Sequence, residues 1–344
     1  MDKRDKGTFV TGGMLFFLAL VLQLCARRAD GFATWYAHHI YPVEVGNIGR
    51  FFGIFPFSVV EILLYALIVG VLLYFARNIR HPFKIVSRTV LLTGILLFLY
   101  TVNCGINYYA AAFSDYAGIR AGTYTKEELK DLCTFLVENV NATVTEAHYK
   151  ENRSEWKQAG VAAMAQASKE FPCLAGFYPQ PKEVTCSAIL SVQQLCGIYS
   201  PFTMEANFNG DMPDYNIPHT ICHELSHLKG FMREDEANFI GYLACISSDS
   251  MAYRYSGYLT GWVYAGNALA EVDPEAYLEL RGKLDARAET DLQANNVFWN
   301  RYDGRVAEAA NQLNDTYLKM NDQNEGVQSY GRMVDLMLAY RKNR

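Results

Sequence analysis

The chain has 344 residues, of which 51% are hydrophobic and 14% aromatic, and this composition excludes a disordered or fibrous protein. The length allows one large domain or two ordinary ones. The formal net charge is −5 and no long run of lysine and arginine occurs, so we expect no nucleic-acid partner.

Three stretches in the first third of the chain are long and apolar enough to cross a bilayer. They cover residues 8–26, 55–76 and 89–113, and Glu61 is their one charged residue. No comparable stretch follows residue 114. The sequence therefore predicts a membrane anchor at 1–113, in contact with lipid, and a second domain at 114–344. The alternative, a soluble protein, would need three successive helices that are apolar on every side.

Positive residues near the membrane ends predict the orientation of the anchor. The loop between the second and third stretches contains four of them, Arg77, Arg80, Lys84 and Arg88. This loop should stay in the cytoplasm, and the lysines and arginine at positions 3, 4 and 6 place the N-terminus on the same side. Three crossings then put domain 114–344 outside the cytoplasm.

Beyond the anchor the pattern predicts a mainly helical (α+β) domain with a small β-sheet. Thr125 and Glu128 form a capping box, and residues 251–272 form one buried helix. Residues 198–218 mix aromatic and β-branched residues with Asn, Gly and Pro, so we expect short strands and a loop there. Pro218 suits the first position of the helix that follows.

Six of the eight cysteines lie in domain 114–344, namely Cys133, Cys173, Cys186, Cys196, Cys222 and Cys245. Disulfides and free buried thiols are both open alternatives, because a domain of this size needs no covalent staple. The sequence contains no CxxC, which excludes the usual thiolate zinc sites.

An HExxH motif occupies residues 223–227. His223 and His227 are four residues apart, so on a helix they lie one turn apart on one face, within reach of a single zinc ion. Glu224 lies about 100° round the helix from His223, where it can polarise a water molecule and accept its proton. Because short motifs also occur by chance, the surrounding residues decide its value.

A hydrolytic zinc site needs a third protein ligand and an open position. Gly230 is of the type that ends a helix and lets the chain turn back. On the next helix Glu234 and Asn238 share a face, whereas Glu236 points roughly the opposite way, so only one of the two glutamates can face the metal. We favour Glu234 as the ligand, with Asn238 as its hydrogen-bonding neighbour. Asp235 and Glu236 are then expected to be charges at the positive start of a helix.

The remaining candidates are weaker. His219 lies a turn before His223 and about 40° off its face, so we expect it beside the ligands or at a helix cap. Peptide hydrolysis also needs a donor to the developing oxyanion. Four residues qualify by type alone: Arg254, Tyr255, Tyr330 and Arg332.

At these residues the sequence resembles a family of bacterial membrane proteins described only as a domain of unknown function. In that family three N-terminal membrane helices precede a predicted zinc-peptidase domain. The resemblance covers nearly the whole chain and rests on GIYSPFTMEANFN, HELSHLKGFMREDEANFIGYLAC, RYSGYL and NDTYLKMNDQNEGVQSYGRMVDLMLAY. It implies peptidase chemistry at the bacterial cell membrane.

More distantly, HELSH with ExxAN is similar to the gluzincin peptidases, whose third ligand is the first Glu of an ExxxD element. This similarity implies that Glu234 is the third ligand. The chain departs from the gluzincin pattern in two ways: Asn238 stands where Asp is usual, and the gap after HExxH is unusually short.

The sequence thus predicts a membrane-anchored zinc metallopeptidase that cleaves a peptide or protein outside the cytoplasm. One Zn²⁺ would be held by His223, His227 and Glu234, with Glu224 as general base. The stretch 199–208 would offer a strand edge to an extended substrate.

Two other functions compete with this prediction. The first is a catalytically inactive, zinc-stabilised receptor or scaffold, against which Glu224 counts because a structural zinc site needs no general base. The second is an intramembrane protease, which would need the motif inside an apolar span, whereas Lys229 and Arg233 lie close by.

Overall fold

The computed structural model describes residues 2–145, 153–321, 323 and 332–342. The protein is mainly helical with a small three-stranded sheet, as the sequence predicts. The chain divides into two compact units. The N-terminal unit comprises Met1–Ala111 and Ser200–Glu205, and the C-terminal unit comprises Ala112–Tyr199 and Ala206–Arg344.

The described helices of the N-terminal unit are α1 (Lys3–Arg28), α2 (Phe32–His39), α3 (Tyr41–Glu44), α4 (Arg50–Gly53), α5 (Val59–Asn78) and α6 (Pro82–Tyr100). Short π-helical turns follow α3 and α6, and a 3-10 turn extends the last helical stretch to Tyr109. Three stretches, Lys3–Arg28, Val59–Asn78 and Pro82–Tyr109, are long and apolar enough to cross a membrane. The prediction of three apolar N-terminal helices is confirmed.

The ends of two of these helices differ from the predicted spans. α5 begins at Val59 instead of residue 55, because the Ser58 hydroxyl caps it by accepting the N–H of Glu61. α6 begins at Pro82, ahead of residue 89, since proline suits the first turn of a helix and charged side chains do not interrupt its backbone. A charge-free run therefore measures the apolar length, whereas capping residues set the helix ends.

The segment Ser200–Glu205 belongs to the N-terminal unit although it lies far along the chain. Within this unit the buried carboxylate of Glu205 accepts the backbone N–H groups of Val59 and Val60, at 3.0 and 2.8 Å. The first N–H groups of a helix have no partner inside the helix and carry partial positive charge. Glu205 therefore caps α5 and holds this segment in the unit.

The described elements of the C-terminal unit are mostly helices: α7 (Phe113–Ala117), α8 (Lys126–Thr143), α9 (Arg153–Ala167), α10 (Ala188–Ser191), α11 (Asn216–Lys229), α12 (Glu234–Ser247), α13 (Met251–Val272), α14 (Pro274–Arg281), α15 (Ala286–Asn300), α16 (Arg305–Met320) and α17 (Met333–Lys342). The strands are β1 (Lys182–Glu183), β2 (Gly197–Ser200) and β3 (Glu205–Phe208). The short strands predicted before α11 are confirmed.

The sheet has the order β1-β3-β2, so β2 lies at one edge. β1 and β3 are parallel, with Lys182 opposite Asn207 and Glu183 opposite Phe208. Four residues join β2 to β3, a length that makes these strands a hairpin.

The core of the C-terminal unit is built round α11, α12 and α13, which pack against one another. α9 covers α11 and α12, while α8 lies against α13. Large side chains such as Phe239, Tyr253 and Trp262 are almost completely buried there. Because α13 is covered along much of its length, the prediction of one buried helix at 251–272 is confirmed.

Several local predictions can be compared with this fold. The capping box is confirmed, because the Thr125 hydroxyl accepts the Glu128 N–H at 3.2 Å and the Glu128 carboxylate accepts the Thr125 N–H at 2.8 Å. Pro218 is the third residue of α11 and not the first, a position that it tolerates because N–H groups of the first turn need no helical partner. All eight cysteines are described and carry free thiols.

Candidate metal centre

The HExxH helix and the helix after it meet at a sharp corner. α11 ends at Lys229 and is capped by Gly230, whose φ of 108° lies in the left-handed region that glycine adopts without strain. After three further residues α12 begins at Glu234. The corner therefore folds the first turn of α12 back against the second half of α11, as predicted from Gly230.

This corner brings three potential ligands together. His223 Nε2 and His227 Nε2 are 3.0 Å apart, and they lie 3.3 and 3.6 Å from the two carboxylate oxygens of Glu234. One ligand atom from each residue lies within 4.8 Å of the others. The three side chains keep 10–14% of their surface exposed, so a small ion can reach them from solvent. The structure thus contains a possible His-His-Glu metal-binding triad.

The triad fits a tetrahedral zinc ion. Ligand bonds of 2.0–2.1 Å at tetrahedral angles place neighbouring ligand atoms about 3.3 Å apart, close to the separations observed. His227 Nδ1 donates to the backbone carbonyl of Phe231 at 2.9 Å, which directs Nε2 towards the other two ligands. Histidine ligands of zinc commonly make such a bond. If these three side chains held the ion, one tetrahedral position would stay open, which is the arrangement of catalytic zinc sites.

Glu224 lies next to the triad and is almost completely buried. Its carboxylate accepts the backbone N–H of Tyr199 from β2. The second oxygen, Oε2, has no hydrogen-bond partner among the described residues. A buried carboxylate oxygen without a partner is costly unless it serves a ligand or a reaction.

The charges of the site are strongly coupled. Burial raises the pKa of Glu224 to about 7, although His223 and His227 act in the opposite direction. For His227 burial lowers the pKa, but the Glu234 carboxylate outweighs burial and raises it to about 9. Burial would raise the pKa of Glu234, yet both histidines together hold it well below its ordinary range. Without a cation, Glu234 is therefore ionised and attracts a proton onto His227.

Glu236 is not part of the His-His-Glu triad. Its carboxylate accepts the backbone N–H groups of Phe113 and Ser114, at 2.9 and 3.2 Å, and the Ser114 hydroxyl at 3.0 Å. The residue lies in the first turn of α12, as predicted, but it is buried and not a surface charge. Its role is to cap α7, a long-range contact that helical spacing could not indicate. The Asp235 carboxylate accepts the backbone N–H of Glu236 at 2.9 Å in the first turn of α12.

His219 and Asn238 meet each other. His219 Nε2 donates to the backbone carbonyl of Asn238 at 3.1 Å, and the ring lies behind His223, with ring centroids 6.5 Å apart. Burial and the neighbouring His223 lower the pKa of His219 to about 3, so it stays neutral. The Asn238 side-chain nitrogen has no partner in the described part of the chain. The pair ties α11 to α12 one turn beyond Glu234.

Two of the four oxyanion candidates, Tyr255 and Arg254, are hydrogen-bonded to other groups. The Tyr255 hydroxyl donates to Asp291 at 2.6 Å, and Arg254 Nε donates to the Ser248 carbonyl at 2.6 Å. Arg332 is exposed at the start of the last helix. Tyr330 lies outside the described residues. A different phenol, Tyr264, interacts electrostatically with Glu234: its pKa is raised by burial, then by Cys196 and Glu234, so it stays protonated.

The sequence alone did not single out Tyr264 or Gly197. Tyr264 lies on α13, and helical spacing does not tell which face of α13 approaches α11. Gly197 begins β2, and a Cβ atom there would lie 2.6 Å from Glu224 Oε1. An isolated glycine in a strand is a known signal of close backbone approach, and GIYS carried that signal.

The chain matches a known protein family. Residues 36–338 match the family described as "Protein of unknown function (DUF3810)". No curated protein and no solved structure matches the chain significantly. The matched range includes the second and third apolar spans and the whole His-His-Glu triad. The chain therefore belongs to the DUF3810 family.

Proposed function

We propose that this protein is a membrane-anchored, zinc-dependent metallopeptidase. The observation that carries the proposal is the combination of an open His-His-Glu triad with a buried carboxylate whose Oε2 has no partner among the described residues. A purely structural zinc site usually fills its fourth position with protein and has no use for such a carboxylate. The combination therefore favours catalysis over the scaffold alternative.

His223, His227 and Glu234 would hold the ion, and Glu224 would act beside it. A bound zinc ion supplies Lewis acidity, which polarises a carbonyl group and makes water more acidic. Glu224 Oε2 accepts a proton from the attacking water and passes it to the departing amine. In the metal-free site burial raises the pKa of Glu224 to about 7, so this carboxylate can both take and give a proton near neutral pH.

The peptide substrate would lie along β2. This strand lies at one edge of the sheet, and the backbone N–H of its Tyr199 donates to the Glu224 carboxylate. An extended peptide that pairs with an edge strand gains main-chain hydrogen bonds whatever its sequence. Tyr264, a protonated phenol within electrostatic range of Glu234, is our candidate for the oxyanion donor in place of Arg254 and Tyr255.

We further propose that the C-terminal unit lies outside the cytoplasm of a bacterial cell. The positive residues at the end of α5, in the loop after it and in the first turns of α6 support this orientation; they are Arg77, Arg80, Lys84 and Arg88. A phosphatase fused to the C-terminus should be active in intact cells, because this reporter folds only outside the cytoplasm. An inactive fusion, together with an active one placed in that loop, would reverse the orientation.

The full-length protein with zinc, screened against a fluorogenic peptide library, tests the activity. Glu224→Gln should retain one zinc per chain and lose hydrolysis by a factor of about 10² to 10⁴, the usual contribution of a general base. Glu275→Gln, at an exposed helix start, is the matched control and should keep full activity.

Two outcomes of this screen would contradict the proposal. Wild-type protein that binds zinc tightly but cleaves nothing would favour the receptor or scaffold. Hydrolysis by Glu224→Gln at the wild-type rate would remove Glu224 from the reaction.

A further inference from the structure

The backbone of β2 makes an unusually close contact with the Glu224 side chain. A Cβ atom added at Gly197 would lie 2.6 Å from Glu224 Oε1 and 2.8 Å from Glu224 Cγ. Real Cβ atoms essentially never approach other heavy atoms within 3.0 Å. Any residue other than glycine at this position must therefore displace Glu224 or move the strand.

The same strand also binds the carboxylate. The Tyr199 backbone N–H, two residues along β2, donates to Glu224. Because Oε2 has no hydrogen-bond partner among the described residues, this bond falls on Oε1, the oxygen nearest to Gly197. The strand thus holds Oε1 by a hydrogen bond, and Oε2 stays available to accept a proton.

We propose that Gly197 is a positioning residue for Glu224, whose missing side chain lets β2 hold Oε1 and leaves Oε2 as the oxygen that takes the proton. This inference rests on the proposed function of Glu224 as general base. A glutamate has several torsions and occupies several rotamers when nothing fixes it. A general base must stay within hydrogen-bond reach of the proton it abstracts, so its rotamer decides the rate.

Gly197 also lies close to the backbone of the neighbouring strand β3. The added Cβ would also lie 2.8 Å from the backbone oxygen of Asn207 on β3. Gly197→Ala therefore strains the sheet as well as Glu224. The two effects are separated by a double-mutant cycle, because removing the Glu224 side chain relieves only one of them.

The first test is the thermal unfolding of four zinc-free proteins: wild type, Gly197→Ala, Glu224→Ala and the double variant. We expect Gly197→Ala to lower Tm by several degrees in the wild type and by clearly less in the Glu224→Ala background. Folding of the double variant where Gly197→Ala alone fails to fold gives the same answer. An equal loss in both backgrounds, or two unfolded proteins, would overturn the inference.

The second test uses activity and metal content together. Gly197→Ala loaded with zinc should keep one zinc per chain with unchanged affinity, while kcat falls about a hundredfold, the scale expected for a misplacement of about 1 Å. Gly122→Ala is the control, since a Cβ there has nothing within 4 Å, and it should keep both values. A folded, zinc-loaded Gly197→Ala with wild-type kcat would overturn the inference.

The two proposals fail in different ways. If the wild type cleaves no peptide, the proposed function fails, yet the thermal cycle still decides whether Gly197 positions Glu224. If the wild type cleaves and both tests on Gly197 show no coupling, only the positioning role is lost.

Discussion

The first turn of α12 carries two glutamates, Glu234 and Glu236, whose carboxylates have different partners. Glu234 faces α11, where its carboxylate lies close to the Nε2 atoms of His223 and His227. Those two nitrogens are themselves 3.0 Å apart. Glu236, two residues on, faces α7 and accepts three hydrogen bonds from its start. Both are largely buried carboxylates, but only Glu236 is satisfied by neutral donors that need no ion. The difference shows that the partners of a buried carboxylate, and not its burial, indicate a metal ligand.

The largest expected effect separates these two glutamates directly. Glu234→Gln should weaken zinc binding by more than about a hundredfold, since removing a ligand costs more than disturbing its neighbours, for which 10- to 100-fold is usual. Competition titration against a chelator measures the change. Glu236→Gln is the comparison and should bind one zinc with nearly unchanged affinity. A strong loss of zinc in Glu236→Gln alone would invert the assignment.

The pH dependence of metal binding sharpens the comparison further. In the folded, metal-free protein the pKa of His227 is raised from 6.5 to about 9, after burial is outweighed by Glu234. The stability that this proton contributes is fully present below pH 6.5 and is lost as pH rises through about 9. A metal ion displaces the proton, so zinc affinity should rise about tenfold per unit between pH 7 and 9.

Isothermal titration in buffers of different ionisation enthalpy checks this prediction. About one proton should be released per zinc at pH 7, because the protonated His227 must lose its proton. Zinc binding without proton release would contradict the assigned charge of His227. Glu236→Gln should release the same number of protons, since its carboxylate does not bond to either histidine.

A smaller effect on stability is expected at Glu236. Glu236→Ala leaves the N–H groups of Phe113 and Ser114 without their partner, and an unsatisfied buried group costs about 1–3 kcal/mol. Chemical denaturation of the zinc-free protein should show this loss. Glu275→Ala, at the exposed start of α14, should stay within about 0.5 kcal/mol of the wild type. Equal losses in the two variants would remove the capping role of Glu236.

The smallest effect concerns Asn238. Its side-chain nitrogen has no partner in the described residues, so Asn238→Ala should change zinc affinity by less than about tenfold, the lower bound for a residue that orients a ligand. The chelator competition assay used for Glu234→Gln measures this value. A larger loss would support the predicted role of Asn238 as a residue that hydrogen-bonds a ligand.

Local periodicity allowed much of the candidate site to be predicted. The spacing of His223 and His227 follows from 3.6 residues per turn, and the opposite faces of one helix restricted the third ligand to either Glu234 or Glu236. Gly230 indicated the corner because a left-handed residue ends a helix at little cost only when it is glycine. Each of these relations spans at most a few residues, where backbone geometry alone fixes which side chains meet.

Contacts between distant segments could not be predicted in this way. Glu236 reaches Phe113 across 123 positions, and Glu205 reaches Val59 across 146. The hydroxyl of Tyr255 was an oxyanion candidate by residue type, yet it is bonded to Asp291. Such pairings depend on how helices and strands pack, and no period in the sequence records them.

Apolar length and helical spacing are local properties of the chain, and they were enough to predict the three apolar helices, the mainly helical domain and the pair of histidines. The packing of distant segments sets which carboxylate joins the histidines, which one caps another helix and which strand lies against Glu224. Those choices depend on side chains and backbone groups that packing brings together from distant parts of the chain.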